Sequence, residues 1–586
     1  MTPRIALAPW AATLLLLSGC APRAAVAPAP AFAKRVEGGN GMVAASHPDA
    51  AAAGREILQA GGNAIDAAVA VAFALGVVDP SQTGIGAGGG LVFWNREAGR
   101  AEAMNFYSRT GSDPDWGRVD TAAARRPING RAAGIPGMVA GLLEAHAQWG
   151  RLPRARAIAP AVRLARDGFV VSPLLARTTE SARAKLEADS AAAALFLPGG
   201  QALRPGDRLV QTQLAATLQA IADSGPSAFY RGGRAVRAVT RLRGLGSAVT
   251  LEDWQGYQPE RQRPVCSPWL RFTLLTPPPS LGGVTVLEAL NLLAAVGADT
   301  LGSPTTDPRT ALTLLGAMRV AGADRGRWQG DPAHYGVPAR GLANPSFARA
   351  RAAQVGAPPG AAIPAGDPWP ADAEPPAGGC AGLEPWGASV LGRDRAVSRV
   401  PPEREDGEDG ASFTSHFSVV DAERNAVGVT FTVGVLFGSG VYVNGFFLNS
   451  GANNFNASTR GPSRFGSSTI APTIILEGGD VRMVVGAAGS QYIPTSVTQV
   501  TFRTLALGED PWLAIAGPRV QPGQGGVEVE PGFAPAVYEA LRGRGYRVVT
   551  RIGDLMFGGV HAIVATPRGT LVGVADPRRD GAAAGW

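Results

Sequence analysis

At residue 414 the chain changes character, and any fold it adopts has to reconcile two unlike halves. From about residue 135 to 350 apolar residues recur at helical spacing, in stretches such as LAATLQAIADSG and TVLEALNLLAAVG that end on glycine. Residues 356 to 412 are rich in Pro, Gly and Ala and run into EREDGEDG, a composition that does not pack and predicts an exposed, mobile loop. Beyond it, residues 414 to 586 carry strand signals, among them MVVGAAG, YRVVTRIG and GTLVGVADP. The Thr-Ser-His triplet at the border is either the first edge of a strand or a place where the chain is meant to be cut.

Period-two counting puts Thr414, His416 and Ser418 on one face and Ser415, Phe417 and Val419 on the other. In the next run Thr430 and Thr432 share a face opposite Val427, Val429, Phe431 and Val433. With DAERN at 421–425 as the turn, Val420 pairs with Ala426, and Thr414 falls opposite Thr432 at the open end of a hairpin. A structural threonine pair and a reactive one both fit this pattern. His416 reads as a hydrogen-bonding structural residue.

The chain opens with Arg4, the apolar run ALAPWAATLLLL and then LSGC, which resembles a bacterial lipoprotein signal over residues 1–20 with Cys20 as the lipidated residue. Residues 21–40 follow as a Pro/Ala tether, and ordered structure is expected from about Gly41. The body is then expected to be exported to the bacterial cell envelope or periplasm and to meet a membrane only through its lipid anchor. HPDAAAAGREILQAGGNAIDAAVAVAFALGVVDP reads as two helices broken at Gly61 and Gly62, the second ending before Asp79 and Pro80. The second is too short to span a bilayer and carries Asp66, so it is expected to be a buried core helix. The glycine run in SQTGIGAGGGLVFW precedes a strand instead of following one; it suits close backbone packing and not a nucleotide loop. With Cys20 lipidated, Cys266 and Cys380 remain as an even pair, either bonded or as two buried thiols.

Composition narrows the chemistry. Hydrophobic residues make up 45% and charged residues 17%, which is globular, and Gly 78 with Pro 47 implies many turns. The net charge of +7 comes from scattered arginines with only two lysines, Lys34 and Lys185, so no nucleic-acid partner is expected. The histidines, His47, His146, His334, His416 and His561, form no HExxH pair, and there is no GxSxG elbow. No metal or cofactor is expected.

Several blocks, in order, resemble the gamma-glutamyltranspeptidase family: GGNAIDAAVAVAFALGVVDPSQTGIGAGGG (61–90), AAGIPGMVAGL (132–142), PAVRLARDGFVVS (160–172), TPPPSLGG (276–283), ADRGRWQGDP (323–332), TSHFSVVD (414–421) and ADPR (575–578). The resemblance implies an α+β N-terminal-nucleophile hydrolase with a four-layer αββα sandwich. It would be made as one chain that cuts itself between Phe413 and Thr414, giving a large subunit (41–413, with 356–413 as a mobile linker) and a small subunit (414–586). It assigns Thr414 as nucleophile, Thr432 as the residue that orients it, and the backbone of Gly489 and Ser490 as the oxyanion hole. Ser467 and Ser468 would hold the substrate's α-carboxylate, with Arg109 the nearest match to a carboxylate-binding arginine. The freed α-amino group, with a pKa of about 8, would serve as base.

Departures from the pattern stand at Gly434 for an asparagine, Gly451 and Asn454 for the residues that hold an α-amino group, and Ser490 for a glycine. A neutral Asn454 does not pair with an ammonium as a carboxylate does. The expected function is hydrolysis or transfer of γ-glutamyl groups from small glutathione-like amides. The same machinery working on another acyl group, such as glutaryl, and a non-catalytic envelope protein are the alternatives.

Overall fold

The computed structural model describes Met1 and residues 33–586, apart from 114–125, 376, 382, 384–412, 455–464, 524–525 and 554. Cys20, the expected signal segment beyond Met1 and residues 21–32 of the expected tether lie outside the described residues.

Two seven-stranded sheets organise the molecule. In chain order their strands are β1 (Arg35–Gly38), β2 (Met42–Ala45), β3 (Gly88–Asn95), β4 (Arg100–Phe106), β5 (Glu260–Gln262), β6 (Val265–Trp269), β7 (Phe272–Thr276), β8 (Phe413–Val420), β9 (Ala426–Gly434), β10 (Thr473–Glu477), β11 (Asp480–Ala488), β12 (Gly559–Ala565), β13 (Leu571–Ala575) and β14 (Ala582–Gly585). One sheet has the order β14-β2-β8-β9-β3-β4-β5 and the other β1-β13-β12-β11-β10-β7-β6. Both mix strands from before and after residue 413, so neither half of the chain closes a sheet alone.

Strand alternation builds the layers. Met42, Ala44 and Val92 of the first sheet meet Ile474, Val484 and Ile563 of the second in an apolar seam. The alternate residues of the first sheet, such as Val43, Leu91, Phe417 and Val419, pack on helices α1 (Pro48–Gln59) and α2 (Ala64–Val78). Those of the second, such as Ile475, Met483 and Val485, pack on α3 (Gly283–Ala295), α4 (Pro308–Trp328) and α5 (Ile493–Thr501). Helix, sheet, sheet and helix follow one another, which is the four-layer αββα sandwich expected.

Every residue of α2 is buried. Asp66 is tolerated there because it completes a capping box with Asn63 and its carboxylate also accepts from the backbone N–H groups of Arg151 and Leu152 at 3.0 and 3.2 Å. Burial alone would raise its pKa; the hydrogen bonds from His146 and the backbone outweigh that and lower it. Among the described residues no helix is long and apolar enough to cross a membrane. The glycine run is used for close packing: a Cβ at Gly88 would overlap the backbone of Ser108, and one at Gly89 the carbonyl of Thr430.

Two expectations change. Order begins before Gly41, because residues 35–38 of the expected tether form β1 and pair with β13 from Arg35↔Val574 to Gly38↔Leu571. The expected mobile loop at 356–413 is tied to the body at several points as far as Cys380, although many of its described residues, among them 373–375 and 377–379, are exposed. Arg319 donates to the carbonyls of Ala357 and Pro358 at 2.9 and 3.1 Å, and the Trp328 indole donates to Gly366 at 2.9 Å. Asp372 accepts from Gly341 N–H at 2.9 Å, and Cys380 is bonded to Cys266 of β6 within the seam between the sheets. Composition misled because polar backbone is satisfied here by Arg319, Trp328 and Asp324 from elsewhere in the chain, the last accepting from Gly366 N–H at 2.5 Å. The acidic run itself, at 403–410, lies outside the described residues.

Candidate functional site

The hairpin register holds from Val420↔Ala426 to Ser415↔Phe431, then slips by one residue so that Phe413 lies opposite Gly434. The expected one-to-one pairing of Thr414 with Thr432 is therefore a bulge, with Thr414 facing Thr432 and Val433 together. The bulge aims the Thr432 hydroxyl at the peptide carbonyl before Thr414: Thr432 Oγ1 donates to Phe413 O and accepts from Gly434 N–H at 2.7 Å. Both threonines are buried. Gly434 has φ +91°, and a Cβ there would overlap the Ser450 hydroxyl, which accepts from Val435 N–H at 3.0 Å. The departure at 434 is thus matched by its packing.

Ser415 points the other way and donates to Asp79 Oδ2 at 2.8 Å. Gln82 Nε2 also donates to that carboxylate, at 3.0 and 3.1 Å. Burial pushes the Asp79 carboxyl up to about 7, against the opposing pull of these hydrogen bonds. The His416 ring joins Thr430 Oγ1 at 2.8 Å and Ser418 Oγ at 3.1 Å, the structural role expected, and burial holds its pKa well below the usual imidazole value.

Contacts across the seam fix the level of the candidate oxyanion loop. Ser418 Oγ donates to Val484 O at 3.3 Å, and the His416 ring lies against Gly486, so β8 and β11 run antiparallel across the sandwich. The next step on that face carries Thr414 to the level of Ala488 and Gly489. There the chain leaves β11 through two positive dihedrals, φ 130° at Gly489 and 53° at Ser490, and enters a 3-10 turn followed by α5. Serine at such a φ costs about 1–2 kcal/mol relative to glycine, which is the physical content of the departure at 490.

The candidate recognition residues are joined by a chain of contacts that starts at Gly434. Ser450 leads to Gly451, where a Cβ would come within 2.5 Å of the Ser108 side chain. Arg109, the next residue, pairs its backbone with both Ile135 and Phe465 and sets its guanidinium 5.1 Å from the Phe465 ring centroid. Ser467 and Ser468 follow at once: Ser467 is half-buried, and Ser468 is buried with its N–H donating to Ser280 O at 3.0 Å. Gln329 Nε2 donates to the carbonyls of both Ser280 and Ser468 and ties the two loops. Asn454 ends a short 3-10 turn, Gly451–Asn454, and its side chain lies outside what is described. Asp79, Gln82, Ser450, Ser108 and Gln329 escaped the sequence reading. The VDPSQTG stretch marked the place of the first two without assigning them work.

Among the described residues no three His, Cys, Asp or Glu side chains are grouped to hold a metal. The candidate site offers hydroxyls, backbone N–H groups and the Arg109 guanidinium, a set suited to attack on an amide carbonyl and to holding a carboxylate.

A sandwich of this kind is the fold of the N-terminal-nucleophile hydrolases. The comparisons agree. The gamma-glutamyltranspeptidase family model matches residues 50–586, and the chain belongs to that family. The Acylase ACY 1 proenzyme of Pseudomonas sp. (strain SE83) is 33% identical over 94% of each chain. The Glutathione hydrolase proenzyme of Bacillus subtilis (strain 168) is 31% identical over 98% of this chain and 97% of its own. The crystal structure of cephalosporin acylase from Bacillus halodurans superposes with a TM-score of 0.80 at 27% identity, covering 96% of this chain and 98% of that one. The chain is an enzyme of this family, whose members form a large and a small subunit and act on small-molecule amides.

Proposed function

We propose that the protein is a self-processing amidase in which Thr414 is the nucleophile twice. The observation that carries this is the hydrogen bond from Thr432 to the Phe413 carbonyl, because it polarises a peptide bond whose cleavage would leave the hydroxyl residue Thr414 at a chain end. Thr414 Oγ1 attacks the Phe413 carbonyl carbon, the acyl group passes from nitrogen to oxygen, and water hydrolyses the ester. The freed α-amino group, with a pKa of about 8, then takes the proton of its own hydroxyl.

In turnover Thr414 attacks the carbonyl of a γ-glutamyl amide, the amine leaves, and water or an acceptor amine resolves the acyl-enzyme. N–H groups of Gly489 and Ser490 stabilise the oxyanion, a contribution of ~3 kcal/mol per donor in such sites. Ser467, Ser468 and Arg109 hold the carboxylate of the acyl group. The large and small fragments stay together because both sheets interleave their strands. Cys20 is the proposed site of lipid attachment for an exported enzyme, checked by intact-mass analysis of membrane-extracted protein.

A second reading, with an acyl group that lacks the α-amino function, such as glutaryl, is favoured by one observation. The wall at Gly451 is filled by Ser108, which leaves no room for a hydrogen-bonding side chain there. Edman sequencing of the smaller fragment tests the processing: Thr-Ser-His-Phe is expected, and an intact or differently cut active protein would end the proposal. Release of p-nitroaniline from γ-glutamyl and glutaryl anilides then separates the two substrates.

A further inference from the structure

Asp79 caps the C-terminal end of α2, and the turn that it opens grips both strands of the site. The Asp79 carboxylate accepts from Ser415 Oγ of β8 at 2.8 Å. Two carbonyls of the same turn accept from the end of β9 and the loop after it: Gln82 O from Val433 N–H at 3.1 Å and Ser81 O from Phe437 N–H at 2.8 Å. Gln82 passes the grip onward, since its Nε2 donates to Asp79 and its Oε1 accepts from Arg579, which in turn donates to Leu555 O at 2.8 Å. Asp79, Ser81, Gln82, Ser415 and Arg579 are all buried. Asp79 and Gln82 precede the proposed cut, and Ser415 and Arg579 follow it.

The start of β8 needs such a grip. Its pairing with β2 covers only Phe417 to Val420, and its pairing with β9 is broken by the bulge between Phe413 and Ser415. While the Phe413–Thr414 bond is intact, the backbone holds Thr414 from both sides. Once it is cut, residues 414–416 form a strand end with a sheet neighbour on one side only, and strand ends of this kind fray. A nucleophile displaced by an ångström loses most of its advantage.

We propose that Asp79 is a positioning residue for the nucleophile, pinning the new chain end through Ser415 after the Phe413–Thr414 bond has been broken. This rests on the reading of Thr414 given above. It places the need for Asp79 after the cut: processing draws on a tethered chain, turnover on a free one. An asparagine at 79 retains an oxygen for Ser415 to donate to, whereas an alanine does not.

The test uses the full chain with Ser415→Ala, Asp79→Ala, Asp79→Asn and the Ser415→Ala/Asp79→Ala pair. Each is followed by denaturing gel, Edman sequencing of the small fragment and anilide kinetics. All are expected to be cut before Thr414. Ser415→Ala and Asp79→Ala should lower kcat on the order of 10- to 100-fold, since they loosen the geometry of attack. KM should stay within about twofold because the carboxylate pocket is untouched. Asp79→Asn should recover most of the loss, and the pair should be no worse than the weaker single variant, as two ends of one interaction require. Wild-type kcat in Ser415→Ala, additive losses in the pair, or an asparagine as damaging as the alanine would overturn the proposal. Should Asp79→Ala fail to fold, Ser415→Ala decides alone. A wild-type chain left uncut, yet active, would instead remove the reading of Thr414, an outcome distinct from every variant result.

Discussion

The junction at Thr414 and the candidate recognition rim that runs from Gly434 to Ser468 meet where Phe413 lies opposite Gly434, yet they are built differently. At the junction the key hydroxyl is held from both directions by backbone: Thr432 accepts from Gly434 N–H and donates to Phe413 O, and the register on either side is fixed by β8 and β9. At the rim, geometry depends on complementary small residues, Gly434 with Ser450 and Gly451 with Ser108, and on loops tied by single side chains such as Gln329. The departures from the family pattern at 434 and 451 both fall in the rim. A backbone-held junction tolerates little change, whereas a rim made of matched small residues can be re-cut pair by pair, a route by which one chemistry could be turned to different acyl groups.

If that contrast is right, the largest effect comes from the junction. Thr414→Ala should remain one chain on a denaturing gel and lose activity by about 10⁴-fold or more, the scale seen when a nucleophile is removed. Appearance of two fragments would show that the cut is not autocatalytic at this hydroxyl. Next is Thr432→Val, which keeps the shape and removes the donor to Phe413 O; processing should slow on the order of 10²- to 10³-fold in a pulse-chase gel assay, as for loss of a single donor to a developing oxyanion. Thr432→Ser should restore it. Equal rates for all three would place the junction's rigidity elsewhere than in this hydroxyl.

The rim should answer in stability before chemistry. Gly434→Ala sets a Cβ at φ +91° against the Ser450 hydroxyl, and a cost of about 2 kcal/mol or more is expected from the left-handed conformation and the overlap together. A lowered melting temperature should be partly recovered by adding Ser450→Gly, since the two positions share one space. Failure of that recovery would mean that the rim is not made of paired residues.

Much of this was legible in the sequence, unevenly. The hairpin register from Val420↔Ala426 followed from alternation and turn length, and the buried α2 from its length and apolarity, because each depends on neighbours in the chain. The bulge at Thr414 did not: one extra residue on β9 leaves the alternation of both strands unchanged up to the slip. The anchoring of the described residues between 357 and 366 was hidden for a related reason, since the donors that tie them down, Arg319 and Trp328, come from α4. ADPR was recognisable only as a family block, while its physics is a buried cluster in which Asp576 accepts from Arg519 at 2.6 Å and from Val560 N–H at 2.9 Å. Asp79 was invisible as a partner of Ser415 because 336 positions separate them.

The most gradual effect expected is the dependence of stability on pH that Asp79 imposes. Its folded-state pKa is raised to about 7, chiefly by burial, whereas the unfolded chain ionises the same carboxyl near the ordinary aspartate value of about 4. Between those values the folded state holds a proton that the unfolded state has lost. The linkage relation then makes the contribution of this group fall as pH rises through the window and level off above about 7. Asp79→Asn removes the titration and leaves the acceptor for Ser415. The melting temperature of the wild type relative to Asp79→Asn should therefore be highest near pH 4 and decline toward pH 7, the reverse of the trend given by a salt-bridged carboxylate. A gap that stays constant across the window would show that the folded protein stabilises the Asp79 carboxylate as well as water does. The turn behind Thr414 would then be more polar than its burial and its neighbours Ser81, Gln82 and Arg579 imply.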